Sequence, residues 1–157
     1  DFGCCPSPFD TYLMMLGLET LSLRVRHEAE ATAKLAEFFR SNENVKKVSY
    51  VGFEDDASYA LAQKYFRKGA ACVISVELEG TLEGTVRFVE GLKLAANMTM
   101  IGDSITVVTH PASTTHKQLS EEALERAGIS PTLLRISAGL EAVEDIIDDF
   151  EQAFAQI

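Results

Sequence analysis

Apolar positions along the chain change their period several times, and each change marks an element. From Tyr12 to Val25 the residues are apolar nearly all round, broken mainly by Gly17, Glu19, Thr20, Ser22 and Arg24. From Arg26 to Arg40 the pattern turns amphipathic, with Ala29, Ala33, Ala36 and Phe39 set against Glu28, Glu30, Glu37 and Arg40. Ser7–Pro8 is a sound helix start: a serine N-cap, a proline at the first helical position and Asp10 in the first turn. Nothing breaks the pattern before Ser41–Asn42, so the spacing predicts one helix of ~50 Å over 8–41, with Gly17 its natural bending point. An all-round apolar segment wants burial on every side. Its first half is expected either to lie inside the fold or to pack against protein outside this chain, another subunit included.

The rest alternates between strand and helix periods. Val45–Val51 reads as a strand, Ala57–Lys68 as a helix, Ala70–Leu78 as a Val/Ile-rich strand and Leu82–Leu94 as a helix. Asn97–Ile101 and Ser104–Thr109 read as short strands around the turn dipeptide Gly102–Asp103. Ser120–Ala127 is a helix with a capping serine, two acids in its first turn and Gly128 at its end. Leu133–Ala138 is the last strand. Glu141–Ala155 closes the chain as an amphipathic helix whose Val143, Ile146, Ile147, Phe150 and Phe154 form one core stripe. Helices outnumber strands, so the expected class is α+β, a mixed and partly antiparallel sheet covered by helices.

The 157 residues suit one domain, 1–157. Fourteen basic against twenty-four acidic residues leave a net charge of −10. No basic stripe is visible, so a nucleic-acid partner is not expected. The longest apolar stretch, Tyr12–Leu18, is far short of the ~18 residues that a membrane span needs. Asp1 and Phe2 lead into Gly3 and Cys4–Cys5 without a basic leader, and three cysteines make no disulfide framework. A reduced, cytoplasmic setting is expected. His27, His110 and His116 form no metal-binding pattern, so no metal is expected. The first residue is not methionine and residues 1–7 read as a linker, which points to a piece of a larger protein.

One residue stands out chemically. Alternation puts Leu133, Arg135 and Ser137 on one face of the last strand and Leu134, Ile136 and Ala138 on the other. A guanidinium half sunk in such a strand needs an anion or several acceptors, and its planar fork suits a carboxylate. It can equally pair with a nearby acid such as Glu141, or lie on a solvated sheet face. Ser113 and His116 in the loop His110–His116 lack a third partner for nucleophilic catalysis, and the hydroxyls suit a self-satisfied turn. Lys117 follows in a polar loop and reads as solvated. Phosphate-binding glycine patterns are missing, and Glu54–Asp55–Asp56 reads as a solvated turn rather than a calcium loop.

Taken in order, these landmarks resemble the C-terminal domain of the pyridoxal-phosphate-dependent Cys/Met metabolism (transsulfuration) enzymes. The residues are Ser7–Pro8–Phe9, Gly17-to-Arg24 with His27, Tyr59–x–Leu61–Ala62–x–x–Tyr65 leading to Lys68–Gly69–Ala70, and Gly102–Asp103. The His110-to-His116 loop, Gln118–Leu119–Ser120–Glu121–Glu122 and Leu134–Arg135–Ile136–Ser137–x–Gly139–Leu140–Glu141 complete the series. The paired threonines and the Gln118–Glu122 run tilt the likeness toward the O-acetylhomoserine sulfhydrylase branch, with cystathionine γ-synthase and methionine γ-lyase relatives as the alternative.

The resemblance implies the small domain of a type I aminotransferase-like fold, 45–157, joined by an interdomain helix, 8–41, to a large domain absent here. It implies that the absent N-terminal domain binds pyridoxal 5'-phosphate and that the parent is a homo-oligomer acting on a small amino acid. The parent reaction would be γ-replacement of acetate by sulfide or thiol, in homocysteine or methionine synthesis, with the isolated chain inactive. Arg135 would hold the substrate α-carboxylate, with Ser137, Thr106 and Met100 as supporting positions. Three departures stand against the family pattern. Met100 replaces a serine or asparagine, Ile105 replaces a charged residue, and Glu54–Asp56 replaces a Pro/His-containing turn. The resemblance also implies an apolar patch on the first helix that is either exposed in this chain or hidden by self-association. Two readings from other classes remain: an amino-acid-binding regulatory module of ferredoxin-like build, and an oligomerising fragment.

Overall fold

A computed structural model of the chain describes residues 3–70 and 72–157. The expected linker at 1–7 and the expected strand from Ala70 therefore each include positions (1, 2 and 71) outside the described residues. Six helices and five strands follow in the order α1 (Pro8–Glu19), α2 (Leu21–Ser41), β1 (Val45–Ser49), α3 (Tyr59–Tyr65), β2 (Val73–Leu78) and α4 (Leu82–Gly91) among the described residues. Then come β3 (Ala96–Asn97), β4 (Val107–Thr109), a short 3-10 turn, α5 (Glu121–Arg126), β5 (Leu133–Ser137) and α6 (Val143–Phe154). The strands form one sheet in the order β1-β2-β5-β4-β3. Neighbours run antiparallel except β3 beside β4, which is parallel. The sheet is mixed, as its sequence pattern predicts.

Period-two alternation sorts the central strands cleanly. Ile74, Val76, Leu78, Leu134, Ile136 and Val108 face a core shared with α2, α4 and α6. Four phenylalanines join those helices: the rings of Phe39 and Phe150 lie 4.9 Å apart edge to face, and Phe88 and Phe154 lie 4.7 Å apart. Such pairs add about 0.5–1.5 kcal/mol beyond the area they bury. The α6 stripe read from the sequence packs here, with Val143, Ile146, Phe150 and Phe154 buried and Ile147 partly so.

Several boundaries differ from the sequence pattern. The single helix expected over 8–41 is two, parted at Thr20 (φ −107°, ψ 1°) rather than bent at Gly17. Arg24 bridges the break, its guanidinium donating to the Gly17 carbonyl and to the Thr20 hydroxyl. Helix α3 is shorter than Ala57–Lys68 because Asp56 turns the chain before it, its carboxylate accepting from the Ser58 amide. The two strands expected at 97–101 and 104–109 shrink to β3 and β4. Between them residues 98–106 leave the ladder and fold over the sheet face opposite the core.

Ser7 caps α1, its hydroxyl accepting from the Asp10 amide at 3.1 Å. No residue of α1 is buried. Phe9, Tyr12, Leu13, Met14, Met15 and Leu18 are all exposed, and so are Leu21, Leu23 and Val25 at the start of α2. Burial in α2 begins at Glu28 and runs through Ala31, Thr32, Leu35, Ala36 and Phe39. The buried face of α2 thus includes Glu28, which the sequence pattern set on the polar side.

Candidate functional site

The site is built on the sheet face turned away from the core. Register places Ser75 of β2 and Thr109 of β4 on either side of Arg135. Segment 98–106 folds over this face and is tied down at three points. The Thr109 hydroxyl donates to the Met98 carbonyl. Arg135 Nη2 donates to the Thr99 carbonyl at 3.0 Å. The Gly102 amide donates to Ser137 Oγ at 3.2 Å. Gly102 itself sits at φ +67°, a left-handed conformation that glycine adopts without a Cβ penalty.

Arg135 is half-buried, and among the described residues its side chain makes that one hydrogen bond. Ion pairs among the described residues are Lys34–Glu144 and Arg40–Asp55, and Arg135 belongs to neither. The pairing with Glu141 left open by the sequence is not formed. The Glu141 carboxylate is engaged elsewhere, accepting from the Thr106 amide at 2.8 Å and the Thr106 hydroxyl at 2.9 Å. Thr106 Oγ1 in turn accepts from the Gly139 amide at 3.0 Å. This knot fixes the chain just after β5 against the segment entering β4. A guanidinium carries five N–H donors, so Arg135 has a fork to spare for a carboxylate.

The three supporting positions are placed differently. Ser137 is buried and its oxygen is occupied by the Gly102 amide. Thr106 is wholly buried in the Glu141 knot. Met100 is exposed and its thioether donates nothing. Ser137 and Thr106 therefore brace the segment beside Arg135. Hollows lined by Arg40 and Lys47, by Arg26 and Lys68, and by Leu124 and Glu125 open elsewhere, and Arg135 lines none of these.

The histidine loop is a structural turn. His110 is buried, with Nδ1 2.8 Å from Ser113 Oγ and Nε2 2.8 Å from the Pro131 carbonyl. Burial pushes its pKa down, partly offset by the Pro131 carbonyl, so the neutral ring accepts from Ser113 and donates to Pro131. Ser113 thus serves His110 rather than His116, whose Nδ1 meets the Thr115 hydroxyl. Lys117 is exposed, as its polar surroundings predict.

Sequence reasoning missed Glu28. It is fully buried, and neither carboxyl oxygen has a well-formed hydrogen bond. Burial raises its pKa, with Arg24, the Cys72 thiol and His27 acting in the opposite direction. Burial likewise pushes the Cys72 thiol up, and the Glu28 charge adds to this. The stripe Glu28–Leu35–Phe39, spaced seven and then four residues apart, is the one sequence signal that points to its burial, against the usual solvation of a helical glutamate.

In class, then, this is an α+β unit whose sheet presents an arginine with unfilled donors. The model of the Cys/Met metabolism PLP-dependent enzymes matches residues 1–155, and the chain belongs to that family. It is 43% identical over 154 residues to the sulfhydrylase FUB7 of Fusarium oxysporum, covering 98% of this chain and 36% of that protein. It is 39% identical over 157 residues to the O-acetyl-L-homoserine sulfhydrylase of Corynebacterium glutamicum, covering all of this chain and 36% of the relative. A homocysteine synthase of Schizosaccharomyces pombe is 39% identical over 153 residues.

Among solved structures, a putative O-acetylhomoserine (thiol)-lyase of Campylobacter jejuni superposes with a TM-score of 0.89 at 36% identity. The match covers 99% of this chain and 37% of that one, which carries an N'-pyridoxyl-lysine-5'-monophosphate. The chain thus spans little more than a third of the length of these relatives.

Proposed function

We propose that this chain is the C-terminal, substrate-orienting part of an O-acetylhomoserine sulfhydrylase-like enzyme, which replaces the γ-acetoxy group by sulfide or a thiol. The observation that carries the reading is Arg135: strand-borne, half-buried, bonded to one carbonyl and to no carboxylate. Its free donors form a receiver for an amino acid's α-carboxylate. Relatives at about 40% identity over the whole chain bear sulfhydrylase or homocysteine synthase names, which supports the same substrate class.

Pyridoxal phosphate, when bound, supplies the electron sink for chemistry at the amino acid's carbons. We assign its seat to the part of the polypeptide outside this chain, a reading supported by the chain's spanning 36% of the length of its sulfhydrylase relatives. Residues 8–41 would join the two parts, and 45–157 would form the small domain. What this chain contributes is position. Two parallel N–H···O bonds from Arg135 fix the plane and direction of the carboxylate and thereby the rotation about the α-carbon. The Thr99 carbonyl keeps the guanidinium from swinging into solvent, and the Glu141–Thr106–Gly139 knot keeps β5 in register beneath it. The exposed apolar face of α1 and early α2 supports a covering by the remainder of the enzyme, and we place that enzyme in the cytoplasm as a homo-oligomer. No helix of the described residues is long and apolar enough to cross a membrane.

The test is Arg135→Lys and Arg135→Ala in the whole enzyme. A charge-assisted bidentate contact is worth about 2–4 kcal/mol, so Arg135→Ala should lower kcat/KM for the amino-acid substrate by about 30- to 1,000-fold. Arg135→Lys keeps the charge and loses the fork, and should recover only part of the loss. An unchanged kcat/KM in Arg135→Ala removes the reading. Micromolar binding of free amino acids by residues 1–157 alone would favour the regulatory-module reading instead.

A further inference from the structure

We infer that Glu28 is a positioning residue for the Arg135 site, acting through Cys72, Ser137 and Gly102 on the segment that holds the guanidinium. The inference rests on the reading of Arg135 as a carboxylate receiver. Glu28 lies on α2 with no exposed surface, and its two oxygens lack well-formed hydrogen bonds. Fully buried carboxyls without partners are rare and costly, and persist where neighbouring groups depend on them.

Its surroundings are specific. A Cβ added at Gly102 would stand 3.8 Å from Glu28 Oε2, so the carboxyl lies directly behind the crown of segment 98–106. The Cys72 thiol contacts Glu28 on one side and Ser137 on the other. Ser137 Oγ receives the Gly102 amide at 3.2 Å, and the Cys72 carbonyl receives the Ala138 amide at 3.2 Å. Three residues before Gly102, the Thr99 carbonyl holds Arg135 Nη2. The path from carboxyl to guanidinium is thus a continuous run of contacts through one thiol, one hydroxyl and one short loop. The charged and titratable groups around Glu28 are Arg24, His27, Asp103 and Cys72. Burial is the largest of these influences and raises the Glu28 pKa, with Asp103 acting in the same direction.

The experiment uses the whole enzyme with Glu28→Gln, Glu28→Ala and Cys72→Ala. It reads KM and kcat for the amino-acid substrate, amide hydrogen exchange across 99–105, and the pH profile of Cys72 alkylation resolved by peptide. Glu28→Ala and Cys72→Ala should raise KM about tenfold, leave kcat within about twofold and speed exchange in that segment. Glu28→Gln, which keeps the shape of the side chain and removes its charge, should restore KM and exchange while moving Cys72 alkylation to lower pH.

An unshifted alkylation profile in Glu28→Gln overturns the inference. So does unaltered exchange across 99–105 in both alanine variants, or an unaltered KM where exchange rises. Should Glu28→Ala fail to fold, Cys72→Ala and Glu28→Gln still decide it. A failure of the parent reading appears separately, as an unchanged kcat/KM in Arg135→Ala, while exchange and alkylation still report on Glu28.

Discussion

At the scale of single residues, the groups nearest the proposed chemistry are held by neighbours that the sequence does not advertise. Gly139 shows this best. Its backbone is not left-handed; what demands glycine is that a Cβ there would overlap the Ile105 carbonyl carbon, the Thr106 amide and the Glu141 carboxylate. Gly139→Ala should therefore cost about 2–3 kcal/mol, seen as a lower urea midpoint at unchanged slope. His110 gives a pH signature. Its folded pKa lies below the ordinary 6.5 because burial disfavours the imidazolium. Below pH 6.5 the unfolded chain holds more protons than the folded one, so stability is full above that value and falls as acid drives the pH through the window beneath it. Urea midpoints at about pH 7.5 and about pH 5.5 should show this fall in the native protein and a flatter response in His110→Gln. Arg135 was legible from its strand; Glu28 was not, because a glutamate on an amphipathic helix is usually solvated and only the stripe through Leu35 and Phe39 argued otherwise.

At the scale of elements, periodic segments were readable and their ends were not. The α6 stripe and the alternation of β2 and β5 follow directly from burial on one face. Boundaries depend instead on single side chains that answer backbone groups. Asp149 sits on α6 among acids that read as solvent-facing, yet it is buried and accepts from the amides of Lys93, Leu94 and Ala95 at 2.8, 2.9 and 2.9 Å. That carboxylate satisfies the chain leaving α4 and so fixes where β3 begins. Asp149→Ala would strand three amides in the interior and should cost about 3–5 kcal/mol, with hydrogen exchange at 93–95 rising with the global loss. The short strands around Gly102 were overread for the same reason. The carbonyls of Met98 and Thr99 are taken by Thr109 and Arg135, so the segment follows side-chain acceptors rather than a ladder.

At the scale of the whole molecule, the sheet and its three covering helices close a core, whereas α1 closes nothing. Leu13 is 49% exposed, Met14 62% and Leu18 63%. Burying each such side chain against another surface is worth about 1.5–3 kcal/mol, and several sit side by side, so the bare face favours association over solvation. Residues 1–157 on their own should therefore sediment as concentration-dependent oligomers. Replacing Leu13, Met14 and Leu18 together by glutamine should return a monomer. Because none of the three reaches the core, the thermal midpoint of the sheet domain should stay within about 2 °C of the parent chain. On the proposed reading, in which the remainder of the enzyme covers this face, the same triple change should act in the opposite sense there and weaken the whole protein. A monomeric native chain at high concentration, or a triple variant that melts earlier on its own, would mean that α1 already packs on this fold and that its apolar surface has no partner to find.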